Sequence, residues 1–123
     1  MKTIKEGFLR KNLGLGKEAL IRNWLDKYDI KDYTINDDLT IDVNGGVYLC
    51  DYNEEYLPDY IQFRNIRYSF RISRSGKLKS LRGCPYKIEL DFDCSRCDSL
   101  TSLEGSPKEV GSNFYCRGCS KLE

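Results

Sequence analysis

Residues 78–99, LKSLRGCPYKIELDFDCSRCDS, are followed at once by residues 100–121, LTSLEGSPKEVGSNFYCRGCSK. A shift of 22 positions superposes leucines, a glycine, a proline, a phenylalanine and two cysteines of the first unit on those of the second. A degenerate copy lies one period upstream, where Ile66, Phe70, Ile72 and Ser75 align with Ile88, Phe92, Cys94 and Cys97. A period in the low twenties with this leucine pattern is typical of leucine-rich-repeat solenoids, in which each coil contributes one short parallel strand. We therefore expect strands at about 66–72, 88–94 and 110–116.

The residues before the repeats begin with an amphipathic helix. Its apolar positions recur at helical spacing, and they are Leu20, Ile21, Trp24, Leu25 and Tyr28. Residues 1–32 are therefore expected to form a helical cap, with Gly14 and Gly16 marking the start of the helix. Trp24 is expected to anchor that helix in the core, because large aromatic side chains usually bury.

Residues 33–50 change to an alternation with a period of two. Asn44-Gly45 tolerates the positive backbone angles of a type I′ turn, so we expect a hairpin that pairs 39–43 with 46–50. Residues 51–123 then form the repeat solenoid, and the whole chain, 1–123, makes one domain. The expected fold class is α+β, with an N-terminal helix and a β-hairpin capping a short leucine-rich-repeat-like β-solenoid of about three 22-residue coils.

Two blocks of the chain resemble a known family. The block YTINDDLTIDVNGGVYL at 33–49, followed by units of the form LTSLEGSPKEVGSNFYC at 100–116, resembles the leucine-rich-repeat-like proteins encoded by tailed bacteriophages and some bacteria. The resemblance covers about residues 30–123, although the copy at 66–81 lacks the cysteines and is heavily basic. It implies the fold and no agreed enzymatic activity, and it implies a phage-encoded protein that acts on a protein of the bacterial host.

The composition excludes several function classes. Lys and Arg number 20 against 19 Asp and Glu, so the net charge of +1 supplies no global field for nucleic acid or an anionic membrane. The chain has no histidine, which removes the commonest general base and a common zinc ligand. The segment LGLGK at 13–17 lacks the preceding strand and the full glycine pattern of a nucleotide site. We therefore expect a protein without enzymatic activity.

The sequence also bears on location. No apolar stretch is long enough to span a membrane, and residues 1–16 carry glycines and an acid where a signal peptide has its apolar region. We expect a cytoplasmic protein, within a bacterial host if the gene is a phage gene. In that compartment cysteines stay thiols or bind metal.

Four cysteines form two Cys-x-x-Cys pairs, and they are Cys94, Cys97, Cys116 and Cys119. This spacing is that of a four-cysteine zinc ribbon, whose thiolates close a tetrahedral site. The 22-residue repeat supplies a second cause, because stacked coils place equivalent residues one strand apart. In that interpretation the sulfurs form a packed ladder that needs no metal, and Cys97 and Cys119 bond turn backbone. Both interpretations stay open, and the ladder, without a cofactor, is the preferred one.

Charges are segregated along the chain. Residues 64–87 carry eight basic residues and no acid, whereas 51–59 carry four acids and no base. With Tyr68 and Tyr86 interleaved, the basic segment is typical of a surface that binds single-stranded nucleic acid. The alternative has Ile66, Tyr68, Phe70 and Ile72 pointing inward, so that Arg67 pairs with Glu89 and Arg71 with Asp93 of the next coil. We prefer this pairing because the net charge is near zero.

The repeat also aligns one row of outward side chains. Tyr48, Arg71, Asp93 and Tyr115 occupy equivalent positions, and repeat solenoids commonly bind protein on the strand face. With Arg67 they are the candidate partner-binding residues. The predicted function is a protein-binding module that occludes a bacterial host protein; the alternative is a zinc-stabilised nucleic-acid-binding module. Self-association through the last coil is a third expectation, and no membrane partner is expected.

Overall fold

The structure is a computed structural model that describes residues 16–122. Predictions for residues 1–15, including Gly14 as a helix start, lie outside the described residues. The first element is a helix, α1, whose described part spans 16–27. Nine short strands follow within the described range, and they are β1 (Tyr33–Ile35), β2 (Ile41–Val43), β3 (Val47–Tyr48), β4 (Phe63–Ile66), β5 (Phe70–Arg71), β6 (Lys87–Ile88), β7 (Phe92–Asp93), β8 (Glu109–Val110) and β9 (Phe114–Tyr115).

The strands form two sheets that spiral together. One sheet has the order β1-β2-β4-β6-β8 and the other β3-β5-β7-β9, and all pairings except β1 with β2 are parallel. Ile66 pairs with Ile88 and Ile88 with Val110, so the register advances by the 22 residues of the sequence repeat. The α+β solenoid with an N-terminal helix is therefore confirmed. Its four layers are residues 41–62, 63–84, 85–106 and 107–122.

Each layer contains two strands instead of the single strand predicted at 66–72, 88–94 and 110–116. The chain bends at 67–69, 89–91 and 111–113, and the strands on either side of each bend belong to different sheets. The bend allows Ile66 and Phe70 to enter the same small core from two directions, which one straight strand does not permit. Tyr68 was predicted to point inward, but it lies at the bend with 48% of its surface exposed.

The predicted hairpin of 39–43 with 46–50 is wrong, because β2 and β3 lie in different sheets. The hairpin pairs β1 with β2 in antiparallel fashion. Its turn is closed by Leu39 N donating to Asn36 O at 2.8 Å, and the Asp38 carboxylate accepts from the backbone N and the hydroxyl of Thr40. Asn44-Gly45 lies instead at the bend between the two sheets, where the chain enters β3.

A column of phenylalanines runs through the core. Ring centroids are 5.3 Å apart for Phe63 and Phe70, 6.0 Å for Phe70 and Phe92, and 5.0 Å for Phe92 and Phe114. Trp24 from α1 packs on the first of these rings at 6.3 Å, with 7% of its surface exposed. The prediction that Trp24 anchors the helix in the core is thus confirmed.

The helix ends in a capped turn that directs the chain into the sheets. Asp29 adopts a positive φ of 57°, and Ile30 N donates to Leu25 O at 2.9 Å. This is a Schellman motif, which satisfies carbonyls that the helix end leaves unpaired. Leu25 and Ile30 are both buried, and they form the apolar contact that accompanies such caps.

The last described layer covers its apolar column incompletely. Phe114 is 37% exposed, whereas the equivalent Phe92 in the layer before it is 0% exposed. Cys116 and Cys119 are likewise half-buried, and Cys94 and Cys97 are buried. Within residues 16–122, no helix is long and apolar enough to cross a membrane.

Gly83 occupies a position that only glycine fits. Its φ is +95°, and an added Cβ would lie 2.8 Å from Ile61 O, a backbone atom. We expect Gly83→Ala to lower the free energy of unfolding by about 1–3 kcal/mol, measured by urea denaturation. Gly76→Ala is the matched control, because a Cβ there meets nothing within 4 Å, and its change should stay within about 0.5 kcal/mol. Equal losses in the two variants would contradict the backbone explanation.

Candidate protein-binding surface

The outer face of the β3-β5-β7-β9 sheet carries the row of side chains aligned by the repeat. Tyr48 pairs with Arg71, Arg71 with Asp93, and Asp93 with Tyr115 in the parallel register. The structure therefore brings four of the five candidate partner-binding residues together. Neighbouring strands lie about 4.8 Å apart, so the row extends over about 14 Å. We call these four residues the Tyr-Arg-Asp-Tyr row.

Arg71 lies at the centre of the row between two aspartates. Its guanidinium lies 3.6 Å from a carboxylate oxygen of Asp91 and 3.6 Å from one of Asp93. The carboxylates are themselves oriented, since Asp93 accepts from Ser95 N at 2.9 Å and Asp91 from Asn113 N at 3.0 Å. The predicted pair of Arg71 with Asp93 is therefore confirmed. Arg71 keeps 38% of its side chain exposed, which leaves it accessible to a partner.

Tyr48 lies at one end of the row, with the far end of its side chain close to Gly46. An added Cβ on Gly46 would lie 2.7 Å from the Tyr48 ring, so the ring covers the glycine closely. Tyr48 nevertheless exposes 61% of its surface. An exposed tyrosine offers a large contact area and has only two side-chain torsions to order on binding, which favours a contact residue.

Arg67 lies apart from the row. It occupies the bend after β4, where Nη1 donates to Asn44 Oδ1 at 3.2 Å and the guanidinium lies 5.9 Å from the Tyr68 ring centroid. The predicted pair of Arg67 with Glu89 is not among the ion pairs of residues 16–122. The bend that exposes Tyr68 explains the difference, because it turns Arg67 away from the sheet rows.

Most of the basic segment is paired with acids of adjacent layers. Six of its eight cations form ion pairs, which are Arg64–Asp42, Arg71–Asp91 and Asp93, Arg74–Asp51, Lys79–Glu55, Arg82–Asp59 and Lys87–Glu109. Four of the pairs reach back to the preceding layer, 41–62, which carries acids and no base. The field of the basic segment is therefore largely cancelled by neighbouring carboxylates.

The Arg64–Asp42 pair is the least exposed of those that link the first two layers. Arg64 Nε donates to Asp42 Oδ1 at 3.0 Å, and Asn65 N donates to the same oxygen at 3.1 Å. These bonds favour the ionised carboxylate. The hydrogen bond from Arg64 is the largest cause that lowers the pKa of Asp42 below its ordinary 3.8, and burial opposes it.

The sulfurs of two predicted zinc ligands contact backbone of the layer before them. Cys97 Sγ donates to Ile72 O at 3.3 Å, and Cys119 Sγ donates to Cys94 O at 3.1 Å. Ser75 holds the equivalent position one layer earlier, and its Oγ accepts from Tyr52 N at 3.0 Å. Within residues 16–122, no group of three or more His, Cys, Asp or Glu side chains is arranged to hold a metal ion. The four-cysteine zinc site stays a prediction.

Burial acts on the chemistry of these thiols. It raises the pKa of Cys97 to about 11, and it also raises the pKa values of Cys84 and Cys94 above their ordinary value. Neighbouring sulfurs act in the same direction, since a second thiolate nearby disfavours ionisation. Only thiolates are good nucleophiles and metal ligands, so a zinc ion at these sulfurs would have to displace their protons.

The sequence did not predict an aromatic cleft that lies between the end of α1 and the loop 52–60. Its volume is about 620 Å³, and its aromatic lining residues are Trp24, Tyr28, Tyr52, Tyr56 and Tyr60. The tyrosine-rich and acidic segment DYNEEYLPDY at 51–60 was the available signal. That segment appeared only as a block of acids, because the sequence does not show that α1 lies beside it.

Comparison of the chain with protein-family models, with curated proteins and with solved structures finds no match. The resemblance to phage-encoded proteins stays an expectation from the sequence.

The lowered pKa of Asp42 predicts a pH-dependent contribution to stability. A carboxyl group with a folded pKa below its unfolded value of 3.8 stabilises the protein above that value, and the contribution is lost as pH falls through the folded pKa. We expect Asp42→Asn to be less stable than the original protein at neutral pH, and we expect urea titrations to show this difference shrinking as the pH falls below 3.8. Asp37→Asn, which removes an exposed carboxylate from the turn before β2, is the control and should lose much less stability at neutral pH.

The hydrogen bond of Cys97 predicts different stabilities for its serine and alanine variants. We expect Cys97→Ser to retain a donor to Ile72 O, whereas Cys97→Ala leaves that carbonyl unpaired and lowers the free energy of unfolding by about 1–3 kcal/mol. Urea denaturation of both variants measures the difference, and native mass spectrometry under reducing conditions reports any metal. Equal losses, accompanied by a zinc ion that only the original protein holds, would contradict the packed-thiol explanation and support the zinc site.

Proposed function

We propose that this protein is a non-enzymatic protein-binding module whose Tyr-Arg-Asp-Tyr row contacts the partner. The observation that carries the proposal is the register, which places two exposed or half-buried tyrosines and an accessible arginine in one line on a strand face. Tyrosine and arginine are enriched among the residues that dominate binding free energy at protein interfaces. The solenoid holds them on a preformed surface, which reduces the entropy lost on binding.

The ion pairs favour a protein partner over nucleic acid. Nucleic-acid binding draws on free cations that neutralise phosphates, and most cations of 64–87 already have carboxylate partners. A protein partner needs only a few well-placed aromatic and arginine contacts. The resemblance to phage proteins extends the proposal to a bacterial host protein that is occluded in the host cytoplasm.

The test compares two triple variants on a lysate of bacterial cells. One variant is Tyr48→Ala/Arg71→Ala/Tyr115→Ala, which removes the row. The control is Arg22→Ala/Tyr68→Ala/Tyr86→Ala, which removes the same residue types from exposed positions outside the row. Circular dichroism checks that both variants are folded.

We expect the original protein and the control to recover the same host protein, and the row variant to bind it at least about 100-fold more weakly, as loss of two strong contacts predicts. Equal recovery by both variants would refute the role of the row. Recovery of nucleic acid that falls steeply with salt, together with a bound zinc ion, would instead support the zinc-stabilised nucleic-acid-binding alternative.

A further inference from the structure

The aromatic cleft has a floor of three mutually packed rings. Trp24 and Tyr28 have ring centroids 4.8 Å apart, and Tyr28 and Tyr52 are 5.5 Å apart. Tyr56 stands at the side with 48% of its surface exposed, and its backbone oxygen accepts from the Tyr52 hydroxyl at 2.9 Å. The faces of such rings carry negative electrostatic potential, which attracts cations.

Cations of the chain itself already lie against this cleft. Lys27 Nζ lies 5.4 Å from the Tyr28 ring centroid, which is a cation–π distance. Arg82 Nη2 lies 2.6 Å from Asp59 Oδ1 at the rim. Both the rings and the rim carboxylates therefore accept positive groups in the folded protein.

Glu54 is the rim carboxylate with no ion pair among residues 16–122. Its charge acts on the tyrosines of the floor. After burial, which is the larger cause, the Glu54 carboxylate helps to raise the pKa of Tyr28 and to raise that of Tyr52 to about 12. The C-terminal end of α1, which carries Trp24 and Lys27 and is followed by Tyr28, adds the negative end of the helix dipole.

We propose that the cleft binds a guanidinium group, presented by an arginine-bearing segment of a partner protein. The planar group stacks on the half-buried Tyr28 ring, which the buried Trp24 and Tyr52 rings support from below, and it donates hydrogen bonds to the Glu54 carboxylate. A guanidinium suits both contacts better than an ammonium, since it is planar, weakly hydrated and able to bond a carboxylate through two N–H groups. The volume of about 620 Å³ accommodates the arginine together with flanking peptide. This surface is separate from the Tyr-Arg-Asp-Tyr row.

The chain provides its own reporter of binding, because Trp24 is the only tryptophan. Its indole N–H gives one nitrogen–proton NMR signal from the floor of the cleft. We would titrate the full chain with the peptide acetyl-Gly-Arg-Gly-amide and with the same peptide carrying citrulline, a neutral isostere of arginine. We expect a saturable shift of the indole signal with the arginine peptide and at least about fivefold weaker binding of the citrulline peptide.

Three variants test the residues of the cleft. Glu54→Gln should weaken binding of the arginine peptide at least about fivefold, because it removes the charged acceptor. Glu104→Gln, an exposed glutamate in another layer, is its control and should bind as the original protein does. Lys27→Gln should strengthen binding of the arginine peptide about two- to fivefold, since it removes the cation that covers the Tyr28 ring. Damage to the fold would weaken binding, so it cannot explain an increase in affinity.

Several outcomes would overturn the proposal. Equal binding of the arginine and citrulline peptides would show that charge has no part in recognition. Unchanged binding in Glu54→Gln would remove the carboxylate from the site. Saturable binding of tetramethylammonium with no response to arginine would assign the cleft to quaternary ammonium groups instead. None of these results depends on whether the Tyr-Arg-Asp-Tyr row binds a partner.

Discussion

The parallel backbone register between layers is the constraint on which the other features of the structure depend. Phe70 N donates to Asp91 O at 2.9 Å, and Phe92 N donates to Asn113 O at 2.9 Å in the next step of the spiral. A slip of one residue would move every inward side chain to the outside, so the phenylalanine column holds the register in place. The outer positions are then fixed as well. The Tyr-Arg-Asp-Tyr row is thus a consequence of core packing, although none of its members belongs to the core.

Charged side chains determine which layers pack against each other, which the apolar core alone does not specify. The first layer carries only acids and the second only bases, and their side chains pair across the boundary. Apolar residues recur at equivalent places in every layer and do not distinguish one neighbour from another. Opposite charges do, because two like-charged layers placed together would repel each other. The segregation of charge that is typical of a nucleic-acid surface therefore has a structural cause in this protein.

The sequence predicted those features that follow from its period, and it missed those that depend on bends and on distant neighbours. The 22-residue repeat predicted the solenoid and the alignment of Arg71 with Asp93, and the helical spacing before the repeats predicted the burial of Trp24. It did not give the bend at Tyr68, because strict alternation assumes a straight strand. Asn44-Gly45 suited a hairpin turn, yet the antiparallel partner of β2 was β1, from the other side in sequence. The aromatic cleft required knowledge that α1 packs beside the loop 52–60, which no local pattern contains.

The contact of each layer with only its neighbours has an evolutionary consequence. A duplication of one period within the gene inserts a complete layer whose inward side chains already match those above and below. The outward positions of the copy are then free to diverge, since they do not determine the register. Tyr48, Arg71, Asp93 and Tyr115 differ in just this way at equivalent places of otherwise similar layers. Copying and editing single periods would therefore change the outer face of such a solenoid while its core stays unchanged.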